Sequence, residues 1–136
     1  MSESNMRQHL VRVLKTAGLD PVSVENPAHP GTPDLNYADG WLELKWVKRV
    51  PAREDTVLAL EHFTPQQRVW LLRRWRAGGN VHMLLCCAGE WMLFDGDVAV
   101  EVVGKSTLPE LRERAKLTCQ PLDEKALLLA LKRDNQ

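Results

Sequence analysis

The sequence of 136 residues has little of three things: long apolar runs, cysteine and net charge. Its longest apolar runs, such as Val81 to Ala88, are too short to cross a bilayer, and its first residues lack the basic and apolar regions of a signal peptide. Three cysteines, of which Cys86 and Cys87 are adjacent, make a poor disulfide framework. We therefore expect a protein of the reducing cytoplasm with no membrane partner.

Several familiar site patterns are also missing. The sequence contains no P-loop, no glycine-rich dinucleotide motif, no Ser-His-Asp arrangement and no metal-ligand spacing among its four histidines. With 18 basic and 18 acidic residues, the whole molecule is not an indiscriminate binder of polyanions. Its length and its 44% apolar content predict one globular domain over residues 1–136, without an organic cofactor.

The hydrophobic pattern predicts the order α-β-β-β-α-β-β-β-α-α, a mixed sheet with helices against it. The predicted strands are short runs of apolar or β-branched residues between turns: 21–25, 35–37, 41–47, 81–87, 90–94 and 98–103. The predicted helices have apolar residues at helical spacing: 6–17, 64–77, 107–116 and 123–132. The connection 48–63 is irregular and long, which often marks a functional loop.

The most informative stretch runs from Pro33 to Lys45, where Asp34, Glu43 and Lys45 share one hairpin-like segment. Side chains of a strand point to opposite faces in turn. This alternation divides residues 41–47 into an apolar row of Leu42, Leu44 and Trp46 and a second row of Trp41, Glu43 and Lys45. We expect the second row to lie on the face that the core does not use, with Asp34, Glu43 and Lys45 meeting at a spot open to solvent.

Two carboxylates and an ammonium group in one place suit metal-dependent chemistry on a phosphate. Asp34 and Glu43 provide the hard oxygen ligands that Mg²⁺ prefers. The backbone carbonyl of Leu44, which lies between the side chains of Glu43 and Lys45 on strand 41–47, is a further candidate ligand. Lys45 can orient the attacking water or stabilise developing charge. Taken singly, each piece has an ordinary explanation, because Pro-Asp often starts a turn and Glu43 with Lys45 can form a plain surface ion pair.

Basic residues follow the proposed site. Residues 45–76 contain eight basic and three acidic residues, which suits a DNA backbone and equally suits a solvated helix face. On the predicted helix 64–77, one stripe should face the site or the nucleic acid: Gln67, Trp70 and Arg74. The opposite arc should face the sheet: Val69, Leu71, Leu72 and Trp75. Alternatively, Trp70 packs beneath the 48–63 loop.

The pattern Gly31-Thr-Pro-Asp34 followed by Trp41-Leu-Glu43-Leu-Lys45 resembles the PD-(D/E)xK nuclease motif. More narrowly, residues 2–94 resemble the small VRR-NUC proteins, which are often encoded by phages and prophages and are related to Holliday junction resolvases. The resemblance implies a restriction-endonuclease-like fold and cleavage of DNA phosphodiesters with Mg²⁺ or Mn²⁺. It also implies branched DNA, such as a junction or flap, as substrate, a homodimer, and a bacterial host cell.

The resemblance assigns roles to single residues. Asp34 and Glu43 would ligate the metal, Lys45 would handle the water, and Gln67 would hydrogen-bond in the site. Glu3 would be an additional ligand, or else a favourable charge at a helix N-terminus. The expected DNA contacts are basic or aromatic residues on and before the second helix: Lys48, Arg49, Arg53, Arg68, Trp70, Arg73 and Arg74.

Two other functions fit the same sequence. In one, the motif survives as the scaffold of a DNA-binding module without catalysis. In the other, the chain is a protein partner in a phage replication or recombination complex, and DNA contacts are secondary. The apolar run 127–131 near the C-terminus should pack on the core, with a dimer contact as the second possibility.

Overall fold

The computed structural model describes residues 2–133 and contains five helices and six strands in that range. The first half of the chain forms α1 (Glu3–Thr16), β1 (Val22–Ser23), β2 (Leu35–Tyr37), β3 (Gly40–Val47) and α2 (Pro65–Arg76). The second half forms β4 (Val81–Cys87), β5 (Glu90–Asp95), α3 (Gly96–Val102), α4 (Leu108–Arg114), β6 (Leu117–Cys119) and α5 (Glu124–Ala130). No helix in this range is long and apolar enough to cross a membrane.

The strands form one sheet in chain order, from β1 to β6. Neighbouring strands are antiparallel, except that β3 and β4 run parallel. A parallel pair needs a crossover, which the 48–63 connection and α2 provide. The predicted mixed sheet flanked by helices is therefore confirmed.

Each face of the sheet is covered by its own core. Helices α2, α3 and α4 pack on one face, around buried residues such as Leu71, Met83 and Phe94. Helices α1 and α5 pack on the other face, around residues such as Leu10 and Leu84. Strand β4 is buried along its whole length because it lies in the middle of the sheet with helices on both sides.

The predicted order was wrong in the second half of the chain. Residues 98–103, predicted as a strand, belong mainly to α3, and the sixth strand is instead β6. The valine-rich run has high β-propensity, but Ala99 and Val102 are spaced three apart and both are buried in the core under α3. Packing of that helical face outweighs the local preference for a strand.

The start of α2 is held by local side-chain chemistry. Thr64 caps the helix by accepting the N–H of Gln67 at 3.2 Å, and Gln67 Oε1 accepts the N–H of Thr64 at 3.0 Å. Pro65 occupies the first turn, where a missing N–H costs nothing. Gly31 brings the preceding loop against this helix, since a Cβ on Gly31 would lie 2.4 Å from the carbonyl oxygen of Gln66.

We expect Gly31→Ala to destabilise the protein by about 3 kcal/mol. Gly31 has φ +94°, which costs an alanine on the order of 1 kcal/mol, and the overlap with Gln66 adds the rest. Gly78→Ala is the matched control, because Gly78 has φ +95° and nothing lies within 4 Å of the place that a Cβ would take. Urea denaturation of both variants measures the difference, and equal losses of stability would contradict the tight contact between the loop and α2.

Candidate active site

Asp34 stands where the ladder between β2 and β3 stops. Leu35, the first residue of β2, pairs with Leu42 of β3. Because the two strands are antiparallel, Asp34, one residue before Leu35, lies beside Glu43, one residue after Leu42. Asp34 Oδ2 accepts the backbone N–H of Leu44 at 2.9 Å. The carboxylate thus takes the place of a strand partner, which fixes its position against β3.

Glu43 lies next to Asp34 and is 1% exposed. Burial raises the pKa of Glu43 well above its ordinary value, the hydrogen bond and charge of Asp34 add to this rise, and the charge of Lys45 opposes it. Glu43 Oε2 lies 3.9 Å from Lys45 Nζ. Within residues 2–133, this buried oxygen has no hydrogen-bond partner.

Lys45 is 3% exposed and is held by two neutral oxygens. Its Nζ donates to Gln67 Oε1 and to the carbonyl oxygen of His62, each at 3.0 Å. Because Gln67 Oε1 also accepts the N–H of Thr64, the start of α2 is tied directly to the ammonium group. The structure therefore brings together Asp34, Glu43, Lys45 and Gln67.

The expectation of a spot open to solvent was wrong. Glu43 and Lys45 are buried, because α2 and the end of the 48–63 connection pack over the same face of β3. Trp41 is half-buried, with its ring 5.2 Å from that of Trp70. The Asp34 side chain, at 20% exposure, is the open side of the group.

Arg7 covers this open side of Asp34. The sequence motif did not predict that Arg7 belongs to the site. Its Nη2 donates to Asp34 Oδ1 at 2.7 Å, and its Nη1 donates to Ser23 Oγ at 3.1 Å. The Arg7 side chain is 31% exposed. The one sequence signal is its place on α1 one turn after Glu3, on the same face of the helix.

Glu3 is exposed in the first turn of α1, whose N-cap is Ser2. Within residues 2–133 there is no group of three or more His, Cys, Asp or Glu side chains that could hold a metal ion. The structure therefore does not gather Glu3 with Asp34 and Glu43. A carboxylate at this position favourably meets the positive end of the helix dipole, and its role as a ligand stays a prediction.

The remaining oxygens suit a divalent cation such as Mg²⁺. Asp34 and Glu43 are adjacent hard donors, and Glu43 Oε2 is a buried oxygen in need of a partner. In a strand the N–H and C=O of one residue point to the same edge, so the Leu44 carbonyl lies on the edge where its N–H meets Asp34. These oxygens fit a divalent metal ion. The hydrogen bond from Arg7 to Asp34 would compete with such an ion for the Asp34 carboxylate.

Two of the predicted DNA contacts have packing roles instead. Arg68 donates to the carbonyl oxygens of Val100 and Val103 at 3.2 and 2.9 Å, and its guanidinium lies 4.0 Å from the Phe63 ring centre. Trp70 is 6% exposed and is not accessible to a base or sugar. Both residues join α2 to neighbouring elements rather than to a ligand.

The predicted orientation of α2 was wrong for Trp70 and Val69, whereas Leu71 is buried as predicted. Trp70 and Leu71 are buried toward the sheet, whereas Val69, predicted to face it, is 62% exposed. The wide Trp70 ring packs on Trp41, and Arg74 lies over the Trp70 ring at 4.5 Å. The stripe formed by residues 67, 70 and 74 therefore faces β3, where Gln67 contacts Lys45.

Four other predicted DNA contacts remain at the surface, whereas Arg74 packs over the Trp41 and Trp70 rings. Lys48, Arg49 and Arg73 are exposed and form no ion pair within the described part of the chain. Arg53 is exposed and pairs with Asp55 at 3.2 Å. These side chains leave a basic surface after β3 and on the outer side of α2.

Comparisons with models of protein families and with curated protein sequences found no match. Among solved structures, the chain is similar to Hjc, a Holliday junction resolvase from the archaeal hyperthermophile Archaeoglobus fulgidus. The similarity covers 70% of this chain and 78% of that chain, with 18% sequence identity and a TM-score of 0.49. At this identity it assigns no role to any single residue.

Proposed function

We propose that this protein is a metal-dependent DNA endonuclease. The observation that supports it is the convergence of Asp34, Glu43 and Lys45, with the Lys45 ammonium held by Gln67 at 3.0 Å. A buried carboxylate beside a second carboxylate destabilises the folded chain. Destabilising arrangements of ionisable groups are concentrated at functional sites, because the function requires them. The motif around these residues supports a member of the PD-(D/E)xK nucleases, of the VRR-NUC type.

Each residue has a part in hydrolysis of a phosphodiester. Asp34 and Glu43 would hold Mg²⁺ or Mn²⁺, with the Leu44 carbonyl beside them. The ion, when bound, makes a nucleophilic water and neutralises charge on the phosphate. Lys45 donates a hydrogen bond to the attacking water or to the oxyanion, and Gln67 keeps the ammonium aimed at that place.

The proposal extends to the DNA-binding surface, the oligomeric state and the cellular location of the protein. Lys48, Arg49, Arg53 and Arg73, which are exposed, would bind the DNA backbone. A homodimer would present two sites, which suits a junction or flap in phage recombination, repair or replication. The chain would act as one nuclease domain in the cytoplasm of a bacterial host.

A cleavage panel tests the activity. Labelled four-way junction, flap, duplex and single strand are incubated with Mg²⁺, Mn²⁺, Ca²⁺ or chelator. We expect cleavage with Mg²⁺ and Mn²⁺, most rapid on a branched substrate, and binding without cleavage in Ca²⁺. Cleavage of every substrate in chelator, or of none with any metal, would contradict the proposal.

A DNA-binding module without catalysis is the second candidate. The observation in its favour is that Glu43 and Lys45 are buried and that Arg7 already neutralises Asp34. Such a module would bind branched DNA equally well in Mg²⁺, in Ca²⁺ and in chelator, and would cut in none of them. The same panel therefore separates the two candidates.

Lys48→Ala combined with Arg49→Ala should weaken DNA binding and lower its salt dependence. If both side chains contact phosphates, the slope of log K against log salt falls by about 1.8, from about 0.9 per contact. The matched control is Arg12→Ala with Lys15→Ala, which removes two exposed charges from α1 on the opposite face of the sheet. Fluorescence anisotropy at several salt concentrations measures both slopes, and equal slopes in the two double variants would refute the assigned surface.

A further inference from the structure

Both oxygens of Asp34 are engaged in the structure. Oδ2 accepts the N–H of Leu44, and Oδ1 accepts a charge-assisted hydrogen bond from Arg7 at 2.7 Å. A carboxylate oxygen has a second lone pair, so the neutral Leu44 contact is compatible with a cation on the same group. The Arg7 guanidinium carries a full charge, and it occupies the open side of the carboxylate.

We propose that Arg7 is the resident counter-ion of Asp34, which a divalent cation must displace, so that Arg7 sets the metal affinity of the site. The proposal rests on the proposed function, because it assumes that the metal binds at Asp34 and Glu43. It assigns Arg7 a regulatory role at the site, distinct from the roles of the ligands and of Lys45.

The two cations of the site are held differently. Lys45 is buried and donates to two neutral oxygens, Gln67 Oε1 and His62 O, which do not depend on the charge of the carboxylates. Lys45 can therefore stay in place when a second cation arrives. Arg7 is 31% exposed, and its other contact is the Ser23 hydroxyl, so it can turn into solvent without moving any buried group.

The same helix offers the displaced guanidinium a new partner. Glu3 lies four residues before Arg7 on α1 and is exposed. An acidic residue at this spacing before a basic one is the favourable orientation of a helical ion pair. Arg7 can therefore exchange Asp34 for Glu3 within one turn of α1, without any movement of the backbone.

Mn²⁺ titration by calorimetry on the full chain tests the proposal. Arg7→Gln should bind Mn²⁺ about tenfold more tightly than the parent, the scale of one charge-assisted hydrogen bond. Arg12→Gln is the matched control, with the same loss of charge on the same helix, and should leave the affinity within about twofold. Ser23→Ala removes only the anchor of Arg7 and should tighten binding about twofold to threefold.

The possible failures are distinguishable. Asp34→Asn is included as the variant that lacks a metal ligand and should not bind Mn²⁺. If Arg7→Gln binds Mn²⁺ no more tightly than the parent and Asp34→Asn does not bind it, the role of Arg7 is overturned and the nuclease proposal stands. An equal gain in Arg12→Gln would also overturn it, because general charge would then explain the effect. Absence of Mn²⁺ binding in every variant would overturn both proposals. If Arg7→Gln does not fold by circular dichroism, Ser23→Ala decides the same question.

Discussion

Asp34→Asn is expected to abolish metal-dependent cleavage of DNA, with a rate loss of about a thousandfold or more. The amide keeps an oxygen for the N–H of Leu44, so the start of β2 should stay in place. It loses the negative charge that would hold the cation, and one electrostatic element of a preorganised site is worth a hundredfold to about a thousandfold in rate. The measurement is the single-turnover rate on the best substrate of the cleavage panel.

Asp39→Asn is the control for this variant. Asp39 is an exposed carboxylate in the turn between β2 and β3, so the charge change is the same and the location differs. It should cleave at nearly the parental rate. Cleavage by Asp34→Asn within about threefold of the parent, with an unchanged circular dichroism spectrum, would remove Asp34 from the active site.

Glu43→Gln is expected to abolish cleavage and at the same time to stabilise the metal-free protein by about 2 kcal/mol near pH 8. Glu43 is buried, and its Oε2 has no hydrogen-bond partner within residues 2–133, a situation that costs about 1 to 3 kcal/mol. A glutamine amide fills the same space without a charge and can donate to Asp34. Such a trade of stability for activity is common at functional sites.

The stabilisation by Glu43→Gln should depend on pH in a defined direction. Burial raises the pKa of Glu43 in the folded state above its ordinary value of 4.5, so the folded chain holds a proton that the unfolded chain releases. The contribution of Glu43 to stability is therefore present below pH 4.5 and is lost as the pH rises through the higher folded pKa. The advantage of the glutamine should be small near pH 4.5 and largest at alkaline pH.

Urea denaturation in chelator at pH 5 and pH 8 measures this difference. Glu61→Gln is the control, because Glu61 is an exposed carboxylate in the connection before α2. Its stability should follow that of the parent at both pH values. A Glu43→Gln protein that is less stable than the parent at pH 8, or that gains equally at both pH values, would contradict the burial of an ionisable Glu43.

Much of the site could be predicted from the sequence because it depends on local patterns. Alternation along β3 places Glu43 and Lys45 on one face, and a Pro-Asp step just before β2 places Asp34 beside them. The Thr64-Pro65 start of α2 fixes where Gln67 lies. Each of these relations spans few residues, so the sequence contains it directly.

The rest depends on packing between distant segments. Burial of Lys45 results from the 48–63 connection returning over β3, which no local pattern reveals. The contact between Arg7 and Asp34 joins residues 27 positions apart. Trp70 was misplaced because its partner, Trp41, lies on another element, and residues 98–103 form a helix because tertiary contacts outweigh their β-propensity.

Crystals soaked in Mn²⁺ provide the most direct test of the site. We predict an anomalous peak between the carboxylates of Asp34 and Glu43, at about 2.0 to 2.3 Å from an oxygen of each, the usual range for such ions. We also predict that Arg7 has left Asp34 in these crystals. No peak at saturating Mn²⁺, with the guanidinium still bound to Asp34, would contradict the proposed metal site.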